Sequence, residues 1–530
     1  MRLTVNTSKK WYSLNMPTRT QADCIVIGAG HNGLVAATYM AKAGRRVVVL
    51  ERREIVGGAC VTEELFPGRR IGTCAYICHM LHEQVIADLE LRKHGLKILA
   101  LDPTALYPFP DGSHMFAWHD DRRTADEISR ISRHDAVAFP EWNRFWRRSA
   151  GILKRYFLRA PPTVSQMMAD ARGTEDERVL ETLLTVPVKD MADSMFESNA
   201  IKAAAVGTGD YGALDAPGSA LAHAYFKVSL LTADEDYGLV QGGMGGITQA
   251  MAKSAVAAGV EIRTDAEVSQ VLVSKGGAVH GVKLGLGDVI EAANVVSNAD
   301  PKRTFLQLVP EGALPAPFTD SVRRLKTRSA SLKLHASLKR LPDFSRFLGP
   351  DYASRIPPMI RINPSLDNFL ASWRDAQDGI PTRHPVMQVQ IPTVLDDTLA
   401  PSGQHVMSVW VTFEPAHPAG ATWAEIKDVV GQQVIGAIEP YAPDIRDCIE
   451  ELDVFTPADI KARVGMTDGN IRHLDLLPQQ LFAGRPLPAW SSYRTPIKGL
   501  YLCGAGTHPG GEVTGAPGHN AAHAVLEDIR

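Results

Sequence analysis

Apolar runs and a helical pattern alternate near the start of the chain. Residues 24–51 read as a short apolar run, a glycine turn, a helical stretch and a second apolar run that ends in an acid. This succession is typical of a βαβ unit with two buried strands. The pattern therefore predicts an α/β fold at this end of the protein.

The glycines of this unit have the spacing of a dinucleotide site. Gly28, Gly30 and Gly33 form G-x-G-x-x-G after the first predicted strand. The first glycine permits a tight turn, the second lets a pyrophosphate approach the backbone, and the third lets the helix pack closely on the sheet. The helix N-terminus then faces the phosphates with unpaired N–H groups. Glu51 ends the second strand, where it is placed to accept hydrogen bonds from ribose hydroxyls.

Two other glycine-rich stretches differ from this site. Residues 207–212, GTGDYG, fit the same spacing, but a proline follows and no strand ends in an acid at the right distance. We interpret this stretch as a loop. Residues 241–246, QGGMGG, have a different spacing. The sequence therefore predicts one dinucleotide site and lacks a second, dedicated nicotinamide domain.

Later segments continue the α/β pattern. Residues 239–301 read as a glycine loop, a helix and several strands, and residues 498–529 as a buried strand, a glycine-rich loop and a terminal helix. Both are expected to rejoin the nucleotide domain, and the dense glycines of the last loop permit close backbone approach to a flat ligand. Three further segments alternate apolar and polar residues and predict strands of a half-buried sheet. They are residues 329–341, 384–394 and 404–415.

Composition and charge narrow the class of protein. The chain has 530 residues, 45% of them hydrophobic and 22% charged, as in a globular protein of two or three domains. A net charge of −3 gives no sign of nucleic-acid binding. Six cysteines without a CxxC pair argue for a reducing compartment and against a disulfide framework or a zinc site. We expect no metal and no membrane span.

The N-terminal residues do not fit the predicted fold. Residues 1–22 contain four basic residues and no acid before Asp23, and they lack an apolar core of a secretory signal. We interpret residues 1–21 as a flexible extension, with a start at Met16 as one alternative and a mitochondrial transit peptide as another. The expected location is cytoplasmic, peripheral to a membrane in one variant, and mitochondrial if the protein is eukaryotic.

These motifs together resemble the phytoene-desaturase-like flavoproteins, a group of the FAD-dependent amine-oxidase superfamily. The resemblance rests on the glycine triplet, Glu51, Gly57–Gly58, GGMGGI with VVSNADP, and the closing GAGTHPGG and TGAPG. The stretch GGACVTEELFPGRRIGTCAYICHML favours the phytoene-dehydrogenase-related branch. The resemblance implies an FAD-binding Rossmann-like (GR2-type) domain built from residues 22–115, 240–310 and 495–530. An α+β substrate domain with a mixed sheet would then comprise residues 116–239 and 311–494.

The resemblance also implies the cofactor and its contacts. The cofactor would be FAD, with the glycine triplet at the pyrophosphate and Glu51 at the adenosine ribose. Arg53 would lie beside that ribose, and the backbone of Val268 near the adenine. The remaining predicted cofactor-binding residues lie in the glycine pair after the second strand and in the closing loop near the flavin. They are Gly57, Gly58, Gly504, Gly515, Ala516 and Gly518.

The chain departs from the family pattern at two positions. Ala59 stands where many members have an arginine, so one positive contact to phosphate or flavin is missing. Glu512 stands where a small residue is common. If Glu512 is buried its pKa should rise, and it could act as a base, although a solvent-facing loop residue is the simpler interpretation. His508 lies in the same loop and is a second catalytic candidate.

Cys60 resembles half of a redox motif. Flavin disulfide reductases need a second thiol five positions after the first, and that position is Leu65 here. We therefore interpret Cys60 as a small buried residue, and disulfide reduction as the wrong chemistry for this chain.

An aromatic and basic stretch has two interpretations. Residues 139–162 carry six aromatic residues among arginines and lysines, and helical periodicity extends to the prolines. Such a helix could contact a membrane surface and admit a lipid-like substrate. Aromatic residues at helical spacing are more often part of a core, with the basic residues solvated.

The sequence supports several functions. The main expectation is an FAD-dependent oxidoreductase that desaturates a carbon–carbon bond of an apolar, isoprenoid- or lipid-like small molecule, with O2 or a quinone as electron acceptor. Alternatives are an amine-oxidase-type flavoenzyme, an NAD(P)H-dependent saturase, and a flavoprotein that mainly binds a partner. The reaction class rests on fold analogy.

Overall fold

The computed structural model describes residues 20–529. Of the predicted N-terminal extension, residues 1–21, residues 1–19 lie outside this range, as do its transit peptide and its alternative start, and Gln21 already belongs to the first strand. Among the described residues, no helix combines the length and apolarity that a membrane crossing needs.

The described chain forms eighteen strands and eighteen α-helices. The strands are β1 (Gln21–Ile27), β2 (Val47–Leu50), β3 (Thr62–Phe66), β4 (Arg69–Gly72), β5 (Ile98–Ala100), β6 (Ala105–Pro108), β7 (His114–Ala117), β8 (Gly238–Val240), β9 (Glu261–Arg263), β10 (Val268–Val273), β11 (Val279–Leu284), β12 (Val289–Ser297), β13 (Ser329–Leu338), β14 (Met359–Ile362), β15 (Val386–Gln390), β16 (His405–Pro415), β17 (Ile449–Phe455) and β18 (Leu500–Leu502). The helices are α1 (His31–Lys42), α2 (Glu83–Asp88), α3 (Asp121–Ser129), α4 (Arg133–Lys154), α5 (Val164–Ala171), α6 (Glu175–Thr185), α7 (Val188–Met195), α8 (Asn199–Val206), α9 (Ser219–Lys227), α10 (Gly245–Ala257), α11 (Pro301–Arg303), α12 (Ala316–Arg323), α13 (Ser345–Leu348), α14 (Leu366–Gln377), α15 (Trp423–Ile438), α16 (Ile445–Cys448), α17 (Pro457–Val464) and α18 (Ala516–Asp528).

The first large sheet assembles three distant parts of the sequence. Its order is β10-β11-β12-β1-β2-β9, and β18 pairs with the second half of β12. Strand β1 lies between β12 and β2 and runs parallel to both, so the predicted βαβ unit is its centre. These short strands are buried on both faces, as expected of continuous apolar runs in a parallel sheet. The predicted α/β architecture from discontinuous segments is confirmed.

The second large sheet is mixed and has the order β17-β13-β16-β15-β14-β6-β7. Its pairs are antiparallel except for β14 and β6, which run parallel. Strands β6 and β7 belong to this sheet, although the predicted division assigned residues 22–115 to the cofactor domain. The structure places both strands in the second sheet instead, because β6 pairs with β14, a strand about 250 residues later in the chain, and β7 pairs with β6.

The alternating strands of this sheet are not half-buried as predicted. Every residue of β13 is buried, and β16 is buried after its first residue. The apolar face packs with α15 in one hydrophobic core. The polar face is covered by the first domain, where Lys333 Nζ donates to the carbonyls of Gly72 and Cys74 at 3.0 and 3.2 Å. The alternation of apolar and polar residues predicted these strands correctly, but their polar face packs against another part of the protein and is not exposed to solvent.

A helical region adjoins this sheet. Helix α4 contains the first part of the aromatic and basic stretch, residues 139–154. Its side chains Trp142 and Trp146 are buried in the hydrophobic core of the helical region. Arg148 and Arg155 form ion pairs with Asp176 on α6 at 2.8 and 2.5 Å. The core interpretation of these aromatic residues is confirmed, and peripheral membrane contact stays a prediction.

Arg485 ties the segment before the last strand to the closing glycine loop. Its buried guanidinium donates to the carbonyls of Ala505, Arg472, Leu474 and Gln480. Burial lowers the pKa of Arg485 to about 10, so the side chain is charged at neutral pH. A charged donor shared among carbonyls holds both loops in one geometry.

We expect Arg485→Met to lower the free energy of unfolding by about 3 kcal/mol or more, because several buried carbonyls lose their donor. Chemical denaturation of the purified holoprotein measures this loss. Arg374→Met is the matched control, since that side chain is 67% exposed in its surface pair with Asp215; its cost should stay near 0.5 kcal/mol or below. Equal losses in the two variants would contradict the assigned role.

Candidate active site

The glycine turn forms a tight cradle between β1 and α1. Gly28 has φ +94°, a conformation that favours glycine. A Cβ on Gly33 would lie 2.2 Å from the carbonyl oxygen of Gly28, so a side chain there would force the helix away from the strand. Gly30 is the N-cap of α1 with an ordinary φ of −69°, and a Cβ there would lie 2.7 Å from Asn298 Nδ2. The turn therefore requires glycine for space at Gly33 and for conformation at Gly28, whereas at Gly30 the end of the Asn298 side chain could move aside.

Glu51 is bound to this turn. Its Oε2 accepts from the backbone N–H of Ala29 at 2.8 Å, and its Oε1 accepts from that of Arg53 at 3.0 Å. Burial raises the pKa of Glu51, and the two N–H groups oppose that rise. Each carboxylate oxygen retains a second lone pair, so the side chain can still accept a hydroxyl group of a ligand.

A cavity of about 1330 Å³ opens beside the turn. It is elongated along the glycine turn, the end of β2 and the closing loop, all of which contribute residues to its lining. Six predicted cofactor-binding residues line it: Gly28, Gly30, Glu51, Arg53, Gly58 and Val268.

The other predicted cofactor-binding residues lie outside the lining of the cavity. Gly504, Gly515, Ala516 and Gly518 do not line it, and neither do Gly33 and Gly57. A Cβ on Gly518 would lie 2.2 Å from the carbonyl oxygen of Asn32, so this glycine permits α18 to pack on α1. Gly57 donates its N–H to the carbonyl of Ala29 at 2.9 Å and fixes the second loop against the turn.

Other residues of the same loops line the cavity instead. Ala505, Gly511, Glu512 and Val513 come from the closing loop, one or more positions away from the predicted glycines. Sequence reasoning also missed Asn298 and Asp300. A signal for them existed, because they follow β12 in VVSNADP, and ligands of open parallel sheets bind outside the carboxyl ends of the strands.

Glu512 is part of a buried ion network. Its side chain is 8% exposed; Oε1 lies 2.7 Å from Arg472, and Oε2 lies 3.3 Å from His79 Nε2. Arg472 also pairs with Asp210 at 3.1 Å. Burial raises the pKa of Glu512, but Arg472 and His79 outweigh this effect and lower it to about 2. The expectations of a solvent-facing side chain and of a raised pKa are therefore both wrong.

The pKa of Asp210, in the same network, shifts in the opposite direction to that of Glu512. Burial raises its pKa to about 6, with Arg472 opposing this rise and Asp475 and Glu512 adding to it. One arginine thus keeps the first carboxylate ionised more strongly than the second. Asp210 lies in the stretch GTGDYG, which forms a loop between α8 and α9 as predicted.

His508 does not line the cavity. Its Nε2 lies 2.8 Å from the carbonyl oxygen of Tyr156, and its ring packs at 6.0 Å from that of Phe482. Burial lowers its pKa to about 4, so the ring is neutral at pH 7. This placement indicates that His508 positions the closing loop against the end of α4. The catalytic roles of His508 and Glu512 stay predictions.

Cys60 is a small buried side chain, as predicted. It is fully buried, its Sγ lies 3.3 Å from the carbonyl oxygen of Met244, and burial raises its pKa. All six cysteines are free and buried. A buried neutral thiol without a partner thiol does not support exchange chemistry.

A second cavity of about 1310 Å³ adjoins the first. Tyr76 and His79 line both cavities and form their common wall. The second cavity lies among α4, α8, α9 and the second sheet. Much of its lining is apolar: Met115, Ile128, Phe139, Ile201, Phe226 and Leu230.

The family of the chain follows from sequence comparison. Residues 33–427 match the family described as flavin containing amine oxidoreductase. This chain belongs to that family. It is 35% identical to pyridine nucleotide-disulfide oxidoreductase domain-containing protein 2 of Rattus norvegicus, over 97% of this chain and 94% of that protein. The predicted flavoprotein family and its FAD cofactor are thereby confirmed.

Further relatives cover nearly the whole chain. A subunit of limonene dehydrogenase from Castellaniella defragrans is 30% identical over 96% of this chain and 95% of its own length. Phytoene desaturase (neurosporene-forming) of Cereibacter sphaeroides is 25% identical over 95% and 94%. Among solved structures, a putrescine oxidase variant aligns with a TM-score of 0.62 at 15% identity, over 97% of this chain and 99% of that one. This last likeness shows the shared fold.

The first cavity fits the FAD of this family. The glycine cradle leaves room for a pyrophosphate at the N-terminus of α1. Three side-chain atoms of lining residues are buried without a hydrogen-bond partner, as expected where a polar ligand completes the site. They are His31 Nε2, Asn32 Oδ1 and Arg53 Nη1.

We expect Gly30→Ala to weaken FAD binding about tenfold or more, because the added methyl group lies at the N-terminus of α1 in the cavity wall, where a pyrophosphate must approach the backbone closely. The ratio of flavin absorbance to protein after dialysis, and a titration of the apoprotein with FAD, measure this effect. Gly151→Ala is the matched control, since a Cβ there meets nothing within 4 Å. Unchanged flavin content in Gly30→Ala would contradict the cradle.

We expect Glu512→Gln to cost about 3 kcal/mol of unfolding free energy at pH 7, because the lowered pKa of Glu512 reflects its stabilisation as an anion. This contribution is present above the ordinary pKa of 4.5 and is lost as the pH falls towards about 2. Denaturation at a series of pH values should show a constant difference from wild type above pH 4.5 that narrows below it. The exposed Glu311→Gln serves as control. A difference that does not change down to the acid limit would contradict the assigned ionisation.

Proposed function

We propose that this protein is an FAD-dependent dehydrogenase that desaturates a carbon–carbon bond of an apolar, isoprenoid- or lipid-like substrate. When bound, FAD supplies the chemistry of accepting a hydride from such a substrate. The protein residues bind and orient the substrate and exclude water from it. The names of the two bacterial relatives, one from a limonene dehydrogenase and one a phytoene desaturase, support this direction.

The charge of the second cavity is the observation that carries the proposal. Two partly buried cations, Lys227 and Arg361, line this cavity without an acidic partner among the described residues. An ammonium substrate would meet like charges in a medium that screens them poorly. The carboxylate at the common wall, Glu512, is already compensated by Arg472. This arrangement favours oxidation of a carbon–carbon bond over oxidation of an amine.

The shape of the site supports an apolar substrate body. The common wall of Tyr76 and His79 separates the cofactor cavity from a second cavity whose lining combines polar residues with a set of apolar side chains. A substrate that enters the second cavity can bring an apolar segment to this wall without exposing it to water.

In this proposal the electrons pass on to O2 or a quinone. The loop at residues 207–212 supports this choice of electron acceptor, because it joins two helices instead of forming a second βαβ unit. A saturase that is reduced by NADPH through a dedicated domain would normally have a second such unit.

An anaerobic flavin spectrum tests the proposal. We expect a terpenoid or long-chain lipid to bleach the oxidised flavin band and to lose two hydrogen atoms, detected by mass spectrometry. Long-chain primary amines and NADPH should leave the band unchanged. Bleaching by the amine with formation of an aldehyde would contradict the proposal, and so would rapid bleaching by NADPH. Gly30→Ala, loaded to the same residual flavin content, controls for non-specific reduction.

A further inference from the structure

Two cations in the second cavity lack an acidic partner in the described chain. Arg361 on β14 donates from Nη1 to the hydroxyl of Tyr107 at 3.0 Å and lies 3.5 Å from that of Tyr237. Its Nε is buried without a hydrogen-bond partner. Lys227, at the end of α9, donates from Nζ to the carbonyl of Ala205 at 3.2 Å. All of these protein partners are neutral.

The two cations also disfavour each other. Burial and, to a smaller extent, the charge of Arg361 together lower the pKa of Lys227 to about 7. A partly buried ammonium with a neutral partner and a cationic neighbour is costly for folding. A negative charge between the two side chains would remove that cost.

The acids of this cavity do not supply such a charge. Asp121 is paired with Arg147 at 3.1 Å and accepts from Asn143 at 2.9 Å. Asp234 lies 3.4 Å from His119, and its side chain is 76% exposed. Both are engaged elsewhere, and Asp234 lies at the solvent-exposed side of the cavity.

We propose that Lys227 and Arg361 bind the carboxylate of an amphipathic organic acid, and that such acids are the substrate class of this dehydrogenase. That the bound acid is a substrate rests on the proposed function, whereas the binding of the acid is inferred from the cavity alone. Beside the two cations the cavity is lined by apolar side chains, among them Met115, Phe139 and Ile201, which can accommodate a hydrocarbon body.

A carboxylate suits these donors better than a phosphate does. Arg361 offers Nε beyond its bonds to tyrosine hydroxyls, and Lys227 offers the remaining protons of its ammonium group. Two oxygens that share one charge match this small donor set. A phosphate ester would bring three oxygens and up to two charges, of which a part would remain unsatisfied.

The site also orients the acid. Tyr76 lines both cavities, and its hydroxyl accepts from Gln388 on the neighbouring strand β15 at 3.0 Å. With its carboxylate held in the second cavity, the acid can extend its apolar chain along this common wall towards the cofactor site. Head-group binding would then select which carbon–carbon bond reaches that wall.

Calorimetric titration of the oxidised holoprotein with a set of matched ligands tests this inference. The probes are dodecanoate, 1-dodecanol, dodecylammonium and dodecyl phosphate, each below its critical micelle concentration. We expect dodecanoate to bind at least tenfold more tightly than 1-dodecanol, and dodecylammonium to bind most weakly. Lys227→Met and Arg361→Met should each lower the affinity for dodecanoate about tenfold or more and leave that for 1-dodecanol within twofold.

Controls separate charge from folding. Lys275→Met removes an exposed lysine and should change nothing. Arg361→Lys keeps the charge and should retain most of the preference for dodecanoate. Flavin content and thermal unfolding are measured for every variant, and if Arg361→Met fails to fold, Lys227→Met decides the result.

Equal affinity for dodecanoate and 1-dodecanol would overturn the inference. A preference for dodecanoate that persists in Lys227→Met would overturn it as well, and tighter binding of dodecyl phosphate with the same sensitivity would overturn the carboxylate assignment. Because binding is measured without turnover, a failure of the anaerobic redox test leaves this result intact. Conversely, bleaching of the flavin by neutral lipids alone, without a carboxylate preference, would retain the proposed function and reject this inference.

Discussion

The site depends on the ion pairs that the buried guanidinium of Arg472 forms with two carboxylates. This guanidinium bonds to Glu512 in the closing loop and to Asp210 in the loop between α8 and α9, and it lies 4.9 Å from the ring of Phe226. Glu512 in turn contacts His79 on the common wall. Parts of the chain that are far apart in sequence thus meet at one charge. A buried charge tolerates little displacement of its partners, so the wall between the two cavities has a defined position.

Charges are distributed unevenly on the two sides of this wall. Near the cofactor cavity, carboxylates are compensated by Arg472, and Glu51 is bound by backbone N–H groups. In the second cavity Lys227 and Arg361 are partly buried cations whose protein partners are neutral. The compensated carboxylates near the cofactor cavity stabilise the protein structure. The cations of the second cavity have no anionic partner in the described chain and can bind an anionic group of a ligand. The family relationship identifies the flavin chemistry, and the charge of the second cavity indicates which substrates that chemistry can reach.

Local patterns predicted the cofactor half of the molecule well. The glycine spacing and the acid at the end of β2 depend on residues close in sequence, and the structure places them together as expected. The closing loop was harder, because its glycines look alike in sequence. Gly518 is needed for contact between α18 and α1, while Gly511 lines the cavity. The spacing of glycines does not show which of them faces a ligand and which faces another helix.

The sequence by itself determined the βαβ unit, the family, the cofactor and the alternation of β13, β15 and β16. These follow from short-range periodicity and from motifs whose residues act within one turn or strand. Only the tertiary structure decided that β6 and β7 join the second sheet, that the polar face of that sheet is buried, and that Glu512 is an ionised partner of Arg472. The same holds for the meeting of Lys227 and Arg361 in one cavity. Burial and electrostatic pairing depend on the distance between residues that are remote in sequence, and periodicity carries no information about that distance.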